Sequence, residues 1–450
     1  MELSQQLKSA SEKLIKLDKP IKIISHIDAD GIAAASILIK TLKNLNLKFS
    51  LSIIKNLTDD ILQQLKKENY SNYIFLDLGS GNLQQITEIL KNKNIFIFDH
   101  HIPQPGNFNL THVNPHLFGF DGNSELSGAG ITYLLSKTID ENNKTLAYLA
   151  IIGAIGDMQE KQGFTGLNKT ILQDALNSNK IEIITGLRMF GSQTRPLYKI
   201  LQYSTDPYIP GITGNETSTL EFLKKLNLDK NKKLFELSEE ETKTLVTAII
   251  LQRLGSESQP EDVLGPIYLL KDEDNNSPTK DLKEFSTLLN SCGRLGKYSL
   301  GIGTCLNDEN SKEKAINLLK EYKIEIINSL NWFYKNRKSP YIIENSNLVI
   351  INAEDNIRDT IIGTITSIIS KSNLYPPETI LLSLAHTLDA DTKISIRISG
   401  FQKNSVNLKE TLNNIVKKFD CKAGGHLNAA GSIIPQEKEQ EFIELAQKYI

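Results

Sequence analysis

The chain has 450 residues, and 51 Lys plus Arg stand against 53 Asp plus Glu, which gives a net charge of −2. This length allows two or three domains, and the balanced charge excludes a protein that is basic overall. The three cysteines (Cys292, Cys305 and Cys421) form no CxxC pair, so a disulfide framework or a zinc finger is not expected. The N-terminus lacks a secretory pattern and no run of about 18 apolar residues occurs, so we expect no membrane segment.

The first 101 residues alternate between short apolar runs and amphipathic stretches. This alternation predicts βαβ units with a parallel sheet covered by helices. Strands are expected at 21–26, 51–55, 72–79 and 94–101, and helices at 1–17, 31–45, 58–68 and 82–91.

The remainder of the chain changes character several times. We expect a loop over 102–126, packed helices at 127–140 and 145–157, and a mixed helical region to about 204. A long amphipathic helix is expected over 310–332. Strands at NLVIINA, TILLSLAH and TKISIRISG then alternate with helices at 357–371, 406–418 and 437–449. The predicted fold class is α/β: a parallel-sheet domain with helices on both faces, a helical insertion, and a smaller C-terminal α/β domain.

The domain bounds follow from these changes and from the Pro- and Gly-rich segment 206–218. We expect a first domain over 1–205 and an inserted module over 206–275. Residues 276–338 are expected to return to the first domain and form a connecting helix. The C-terminal domain is expected over 339–450.

Four short motifs supply carboxylates and imidazoles along the first 160 residues: His26-Ile27-Asp28-Ala29-Asp30-Gly31, Leu76-Asp77-Leu78-Gly79, Asp99-His100-His101 and Gly156-Asp157. His26, Asp77 and Asp99 each close a predicted strand, and the carboxyl ends of parallel strands meet at one edge. If the first motif is extended, His26, Asp28 and Asp30 share a face. These groups could hold two divalent ions, which favours phosphate-ester chemistry.

The Asp and His residues of these motifs also have a purely structural interpretation. A lone Asp after a strand is more often a cap or turn residue, and a lone His-His pair is usually structural. However, three of the seven histidines (His26, His100 and His101) lie at these strand ends. We therefore favour a metal centre there, and structural roles for His112, His116 and His386.

These motifs resemble those of the DHH phosphoesterase superfamily, named for the triplet at 99–101. The segment Gly424-Gly425-His426-Leu427-Asn428-Ala429-Ala430-Gly431 and the strand Ser395-Ile396-Arg397-Ile398-Ser399 resemble its partner, the DHHA1 domain. Two further segments, Glu125–Gly130 and Asn290–Arg294, resemble motifs of RecJ nucleases. In its length and its insertion, the chain resembles the archaeal RecJ-like proteins, which are relatives of the replication factor Cdc45.

The resemblance implies a role for each matching residue. His26, Asp28 and Asp77 would bind one ion, and Asp30, Asp77, His100 and Asp157 the other, with Asp77 bridging. Asp99 would orient the site and His101 would face the scissile phosphate, so Asp77, Asp99 and His101 are the expected catalytic residues. The groups expected to hold substrate phosphates are Arg294, Arg397, Ser399, Gly424, Gly425 and His426.

The expected function is hydrolysis of single-stranded DNA or RNA by a two-metal exonuclease in replication or repair, with Mn²⁺ preferred and Mg²⁺ as an alternative. The resemblance also implies the GINS complex and the replicative helicase as partners, and a cytoplasmic, nucleoid-associated location. Two alternatives stay open: a nanoRNase or pAp phosphatase acting on short substrates, and a Cdc45-like scaffold. Neither the direction of digestion nor the choice of DNA or RNA follows from the sequence.

One residue departs from the superfamily's usual first motif, DxDxDG. His26 stands where that pattern has its first Asp. Because imidazole is a softer ligand than carboxylate, we expect this change to shift the metal preference further toward Mn²⁺.

Overall fold

The computed structural model describes residues 2–161, 163–204, 207–255, 259–372, 374–400 and 406–450, with His426 described by its backbone alone. The chain forms two compact units, Met1–Leu319 and Lys320–Ile450. Each has its own sheet and core.

A five-stranded parallel sheet forms the first half of the N-terminal unit. Its strand order is β2-β1-β3-β4-β5, so β1 and β3 are neighbours and β4 lies beside β3. The strands are β1 (Ile21–His26), β2 (Phe49–Ile54), β3 (Asn72–Leu76), β4 (Asn94–Phe98) and β5 (Thr111–Val113). The helices among them are α1 (Leu3–Ile15), α2 (Ala29–Asn44), α3 (Asp59–Lys67) and α4 (Leu83–Ile89).

Helices α5 (Gly128–Ile139), α6 (Ala147–Gly156) and α7 (Gly166–Asn177) follow the sheet. Both α5 and α6 pack against α2, and α6 is buried on almost every side. The apolar composition of α6, AYLAIIGAIG, accounts for this burial, because a helix that is apolar all round belongs in a core.

The middle of the N-terminal unit is mainly helical and has its own apolar cluster, which draws on residues from Leu187 to Val263. Its elements are β6 (Ile181–Leu187), α8 (Leu197–Gln202), α9 (Glu216–Lys225), α10 (Glu239–Arg253) and β7 (Leu264–Leu270). This apolar cluster begins before residue 206, where the inserted module was expected to start. The domain bounds expected from the sequence stay predictions.

Three helices complete the N-terminal unit and lead into the next: α11 (Leu282–Arg294), α12 (Tyr298–Cys305) and α13 (Glu309–Asn336). Helix α11 packs against α6 and α2, beside the first motif. The long helix α13 was expected over 310–332 and is somewhat longer.

The C-terminal unit has a mixed six-stranded sheet of order β12-β13-β11-β10-β9-β8, in which β9 and β10 pair in parallel and the other described pairs are antiparallel. Helices and strands bury an apolar core that includes Leu382, Ile394 and Phe442. The elements are β8 (Ile342–Glu344), β9 (Leu348–Asn352), α14 (Asp359–Ser370), β10 (Ile380–His386), β11 (Asp391–Ile398), α15 (Leu408–Val416), β12 (Gly424–His426), β13 (Ala429–Pro435) and α16 (Glu439–Tyr449).

The predicted α/β fold class is confirmed, with local errors. The loop expected over 102–126 contains strand β5, and the region expected to be helical before 204 contains β6. Both strands depend on pairing with residues elsewhere in the chain: β5 joins the edge of the sheet beside β4, and β6 pairs with β7 about eighty residues later. Such non-local pairs leave no periodic signal.

Candidate metal centre

Three neighbouring strands deliver the acidic and imidazole side chains to one edge of the parallel sheet. His26 is the last residue of β1, Asp77 follows β3 directly, and Asp99 follows β4 directly. Because β1, β3 and β4 are adjacent and parallel, their carboxyl ends meet, as expected for the active-site edge of such a sheet.

The first motif turns into a helix and is not an extended segment, which corrects the expectation that alternation brings its side chains together. Asp28 is the N-cap of α2, and its Oδ1 accepts a hydrogen bond from the Gly31 N–H at 3.0 Å. Asp30 lies in the first turn of α2. The start of helix α2, rather than strand alternation, therefore sets the directions of the Asp28 and Asp30 carboxylates.

Asp30 is fully buried against the start of α5. Its Oδ2 accepts from the Gly128 N–H at 2.7 Å and its Oδ1 from the Ala129 N–H at 3.1 Å. A helix N-terminus favours such a carboxylate, but burial and the nearby Asp77 charge outweigh this and raise the pKa of Asp30 to about 7. The segment Glu125–Gly130, noted for its resemblance alone, therefore holds a candidate ligand.

Asp77 occupies the centre of the cluster. Its Oδ1 lies 3.2 Å from His100 Nε2 and its Oδ2 lies 3.4 Å from His26 Nδ1. Both oxygens are buried and lack a hydrogen-bond partner among the described residues. The backbone has φ +56°, a left-handed conformation that Asp tolerates better than most residues. One carboxylate oxygen thus faces each histidine, which is the arrangement that a bridging ligand requires.

His100 presents one nitrogen to the carboxylates and the other to the protein backbone. Its Nδ1 lies 2.6 Å from the Gly122 carbonyl oxygen, and because a carbonyl only accepts, Nδ1 must carry a proton. In the neutral ring, Nε2 then has a free lone pair. Nε2 lies 3.2 Å from Asp157 Oδ2 and 4.0 Å from Asp30 Oδ2. Asp157 reaches it from the C-terminal end of α6, as expected.

Asp99 orients His101. Its Oδ1 lies 2.7 Å from His101 Nδ1, and its Oδ2 accepts from the Ser80 N–H at 2.8 Å. Asp99 is fully buried, whereas the His101 side chain is 43% exposed. Burial opposes protonation of His101, but the Asp99 charge raises its pKa. The imidazole is thus held at Nδ1 by the Asp99 carboxylate.

The charges of the cluster favour a bound cation. Burial opposes protonation of His26 and His100, yet adjacent carboxylates raise the pKa of each imidazole well above its ordinary value. Burial and the charge of Asp30 likewise raise the pKa of Asp157. His26, which lies 2.8 Å from Asp28, lowers the pKa of Asp28 despite burial. A divalent cation would relieve this excess of negative charge.

The side chains fall into sets that match the expected ion sites. In each of three sets, the potential ligand atoms lie within 4.8 Å of one another. The first set is His26, Asp28 and Asp77, and the second is Asp30, Asp77, His100 and Asp157. The third set is Asp77, Asp99, His100 and His101. Four of the buried atoms, His26 Nδ1, His100 Nε2 and both Asp77 oxygens, form no hydrogen bond in the described chain, although each lies within ion-pair distance of a neighbouring Asp or His. Unsatisfied buried atoms are costly, so these residues fit a metal ligand set.

Helix α11 supports the first motif. Asn290 Oδ1 accepts from the Ala29 N–H at 3.0 Å, and a Cβ on Gly293 would lie 1.8 Å from the Ile27 carbonyl oxygen. Only glycine allows this close approach. Arg294 ends α11 one turn after Asn290, and it is partly exposed. Its role toward a substrate phosphate stays a prediction.

The C-terminal residues expected to hold phosphates make internal contacts. Arg397 Nε donates to Ser367 Oγ at 2.9 Å, and its Nη1 donates to the carbonyl oxygens of Ile396 and Ala430. Ser399 is 1% exposed and donates to the Tyr375 carbonyl at 3.1 Å. These contacts give both residues a place in the fold, and their substrate roles stay predictions.

The glycine pair lies in an antiparallel β-hairpin. Gly424, Gly425 and His426 pair with Gly431, Ala430 and Ala429 in antiparallel register. Gly425 has φ +117°, and a Cβ there would lie 2.4 Å from the Ala429 carbonyl oxygen, so glycine is required. The expected phosphate contacts of Gly424 and Gly425 stay predictions, and that of the His426 side chain lies outside the described residues.

Several buried polar residues behind the centre were missed from the sequence. Gln159 donates to the Gly122 carbonyl, and Asn114 donates to Ser80 Oγ and to the His101 carbonyl. Ser80 and Asn114 are fully buried. Their partners are distant in sequence and belong to no motif, so only the tertiary structure identifies them.

Three known domain families match parts of this chain. The family described as "DHH family, N-terminal domain" matches residues 20–154, the DHH-CID domain matches 189–264 and the DHHA1 domain matches 345–450. The uncharacterized protein MJ0831 of Methanocaldococcus jannaschii is 31% identical over 459 residues, which cover 100% of this chain and 97% of that protein. This chain belongs to the DHH/DHHA1 phosphoesterase superfamily. It is a DHH-family phosphoesterase with a His/Asp metal site.

Solved structures share the fold at low sequence identity. CDC45 from Entamoeba histolytica has a TM-score of 0.65 at 11% identity, and 99% of each chain is covered. RecJ from Thermus thermophilus in complex with Mn²⁺ has a TM-score of 0.61 at 14% identity. The match covers 100% of this chain but 55% of that RecJ chain. A manganese-bound exonuclease RecJ gives 0.59 at 15% identity, with 100% and 94% covered.

Within the described ranges, none of the helices combines the length and the apolarity that crossing a membrane requires.

Proposed function

We propose that this DHH-family phosphoesterase is a metal-dependent exonuclease that hydrolyses phosphodiester bonds in single-stranded DNA or RNA. The observation that carries the chemistry is Asp77, whose two buried oxygens face His100 and His26 respectively and form no hydrogen bond within the described part of the chain. Two ion sites that share one carboxylate are suited to phosphoester hydrolysis.

The ligand sets already described would hold two divalent ions. When bound, these ions supply a hydroxide nucleophile near neutral pH and neutralise charge on the phosphoryl group. We propose Mn²⁺ as the preferred ion because imidazole nitrogens stand among hard carboxylate oxygens. The protein contributes a fixed geometry: capping holds Asp28, the start of α5 holds Asp30, and the Gly122 carbonyl holds His100.

His101 is the side chain that we place against the scissile phosphoryl group. Its Nδ1 is fixed by Asp99 at 2.7 Å, so its Nε2 can donate a hydrogen bond to a phosphoryl oxygen when the ring is protonated. Arg294, at the end of the helix that supports the first motif, would hold an adjacent phosphate. Contacts from Arg397, Ser399, Gly424, Gly425 and His426 are part of the same proposal.

The preference for a strand over a small phosphate ester rests on two segments, Gly424–Gly431 and Asn290–Arg294. The structure gives Asn290 and Gly293 a role in supporting Ile27 and Ala29, so a substrate contact there depends on Arg294 alone. Such contacts to the backbone would give little sequence preference. Association with GINS and the replicative helicase stays a prediction.

Substrate length separates this proposal from the short-substrate alternative. We expect the wild-type protein with Mn²⁺ to degrade a single-stranded 30-mer stepwise and to leave a matching blunt duplex intact. The Arg294→Ala variant should lose more activity on the 30-mer than on a dinucleotide. Hydrolysis of dinucleotides or pAp without digestion of the 30-mer would instead support a nanoRNase or phosphatase.

A further inference from the structure

We propose that Gln159 is a positioning residue for the metal ion held by His100, acting through the carbonyl group of Gly122. The inference rests on the proposed two-ion centre and assigns a role to a buried amide that belongs to none of its ligand sets. Gln159 is 5% exposed and lies two residues after Asp157, beyond the end of α6.

Two donors converge on one carbonyl oxygen. His100 Nδ1 lies 2.6 Å from Gly122 O, and Gln159 Nε2 donates to the same oxygen at 2.9 Å. A carbonyl oxygen has two lone pairs, so these two donors satisfy it fully. The position of this oxygen fixes the plane of the His100 ring, and therefore the direction in which Nε2 points.

Gly122 must be glycine for this contact to exist. A Cβ at Gly122 would lie 2.0 Å from the His100 carbonyl oxygen and 2.8 Å from His116 Nε2. The segment around Gly122 therefore lies directly against the backbone of His100. A small displacement of that segment would move the acceptor of the His100 Nδ1 proton.

Asn168, on α7, holds both the Gln159 amide and the loop that carries Gly122. Its side-chain Nδ2 donates to Gln159 Oε1 at 2.5 Å, and its backbone N–H donates to the Glu125 carbonyl at 2.9 Å. Asn168 is 1% exposed. The loop that carries Gly122 and the amide that holds it are thus both fixed to α7, which contributes no ligand of its own.

A purely structural role is the competing explanation, because any buried amide stabilises a fold by satisfying its neighbours. The two explanations differ in what they predict for the metals. A positioning role weakens the ion bound by Asp30, Asp77, His100 and Asp157, whereas a general loss of stability affects both ion sites alike. Partners that orient a metal-binding histidine typically change metal affinity by about 10- to 100-fold.

The test uses the full chain, first stripped of metal and then titrated with Mn²⁺. Gln159→Met keeps the size of the side chain and removes its amide. The matched control is Gln193→Met: Gln193 is also buried, at 3% exposure, and its Oε1 has no hydrogen-bond partner in the described chain. Calorimetry gives the two affinities, and electron paramagnetic resonance reports whether the bound ions form a coupled pair.

We expect Gln159→Met to weaken one of the two Mn²⁺ ions about 10- to 100-fold and to leave the other within about twofold. Gln193→Met should bind both ions as the wild type does. Asn168→Ala, which removes the anchor but keeps the Gln159 amide, should weaken the same ion by a smaller factor. This variant also provides the test if Gln159→Met does not fold.

Unchanged binding of both ions in Gln159→Met and Asn168→Ala, or an equal loss at both sites, would overturn the positioning role. In that case the proposed nuclease function would stand, provided that the wild type binds two ions. If the wild-type protein binds no pair of Mn²⁺ ions, the two-ion centre itself fails, and the positioning role fails with it.

Discussion

At the scale of single residues, the centre depends on how each ligand is held. The tautomer of His100 follows from one carbonyl contact, and the two oxygens of Asp77 face different histidines. From the sequence, His26, Asp77 and Asp99 are expected at one edge of the sheet because each closes a predicted strand, and the structure brings their strand ends together. It could not predict Gln159 or Asn114, whose partners are distant in the chain and brought near by folding.

The pair Asp99 and His101 gives a direct test at this scale. We expect His101→Ala to lower the cleavage rate by about 10²- to 10⁴-fold while both metal ions still bind, because His101 acts on the phosphoryl group. Asp99→Asn should show a smaller loss, since it keeps the size of the side chain but weakens the orientation of the ring. Rate measurements at saturating Mn²⁺, with Mn²⁺ affinity measured in parallel, check both expectations. Loss of metal binding in His101→Ala would assign this residue to the ligands instead.

His26 allows a test of metal preference. The His26→Asp variant restores the DxDxDG pattern and replaces an imidazole nitrogen with a harder oxygen. We expect its activity ratio for Mn²⁺ over Mg²⁺ to fall relative to the wild type. The measurement is a titration of activity with each metal, and an unchanged ratio would show that His26 does not set the preference.

At the scale of elements, helices position the centre as much as the strands do. The start of α5 holds Asp30, the end of α6 supplies Asp157, and α11 supports the loop after β1. The predicted bounds of β1 agree with the structure, because IKIISH is rich in β-branched Ile and its first five residues are buried. Strand β6 was missed because, among the described residues, its one strand partner is β7, which contains Gly265 and Pro266 and therefore lacks a clear strand pattern.

Because α11 lies so close to the first motif, adding one methyl group at Gly293 should have a strong effect on stability and metal binding. Gly293→Ala would place a Cβ 1.8 Å from the Ile27 carbonyl oxygen, so the first motif or α11 must shift. We expect weaker Mn²⁺ binding and a loss of stability of about 1–3 kcal/mol. Gly81→Ala is the control, because its Cβ would meet no atom within 4 Å. Denaturant unfolding and metal titration measure both effects, and equal behaviour of the two variants would contradict the supporting role of α11.

At the scale of the whole molecule, the two units differ in how metal should affect them. The candidate ligands all belong to the unit Met1–Leu319, and the C-terminal unit has its own sheet and core. The α/β character of the C-terminal unit was predictable from the alternating strands and helices expected after residue 339, whereas the domain bounds stay predictions. The apolar cluster of the middle region was less predictable, since Leu187 and Val263 come together only through folding.

Metal linkage gives the prediction at this scale. Mn²⁺ at about 100 times its Kd should stabilise the N-terminal unit by about 2.7 kcal/mol per independent site, because the ions bind the folded ligand sets. Hydrogen exchange with and without Mn²⁺ should show slower exchange in β1, β3 and the start of α5, and little change in the core of the C-terminal unit. Addition of EDTA should reverse the effect, and protection confined to the C-terminal unit would contradict this assignment.

The central claim is that Asp77 would be shared by two metal-ion sites in an enzyme that cleaves single-stranded nucleic acid. The most direct measurement compares wild type, Asp77→Ala and the control Asp174→Asn on single-stranded DNA and RNA labelled at either end, with Mn²⁺ present. Asp174 accepts hydrogen bonds from Tyr133 and Lys137 and belongs to no candidate ligand set. We predict stepwise cleavage by the wild type and by Asp174→Asn, and a loss of about 10³-fold or more in Asp77→Ala. Cleavage by Asp77→Ala at the wild-type rate would contradict the two-metal account.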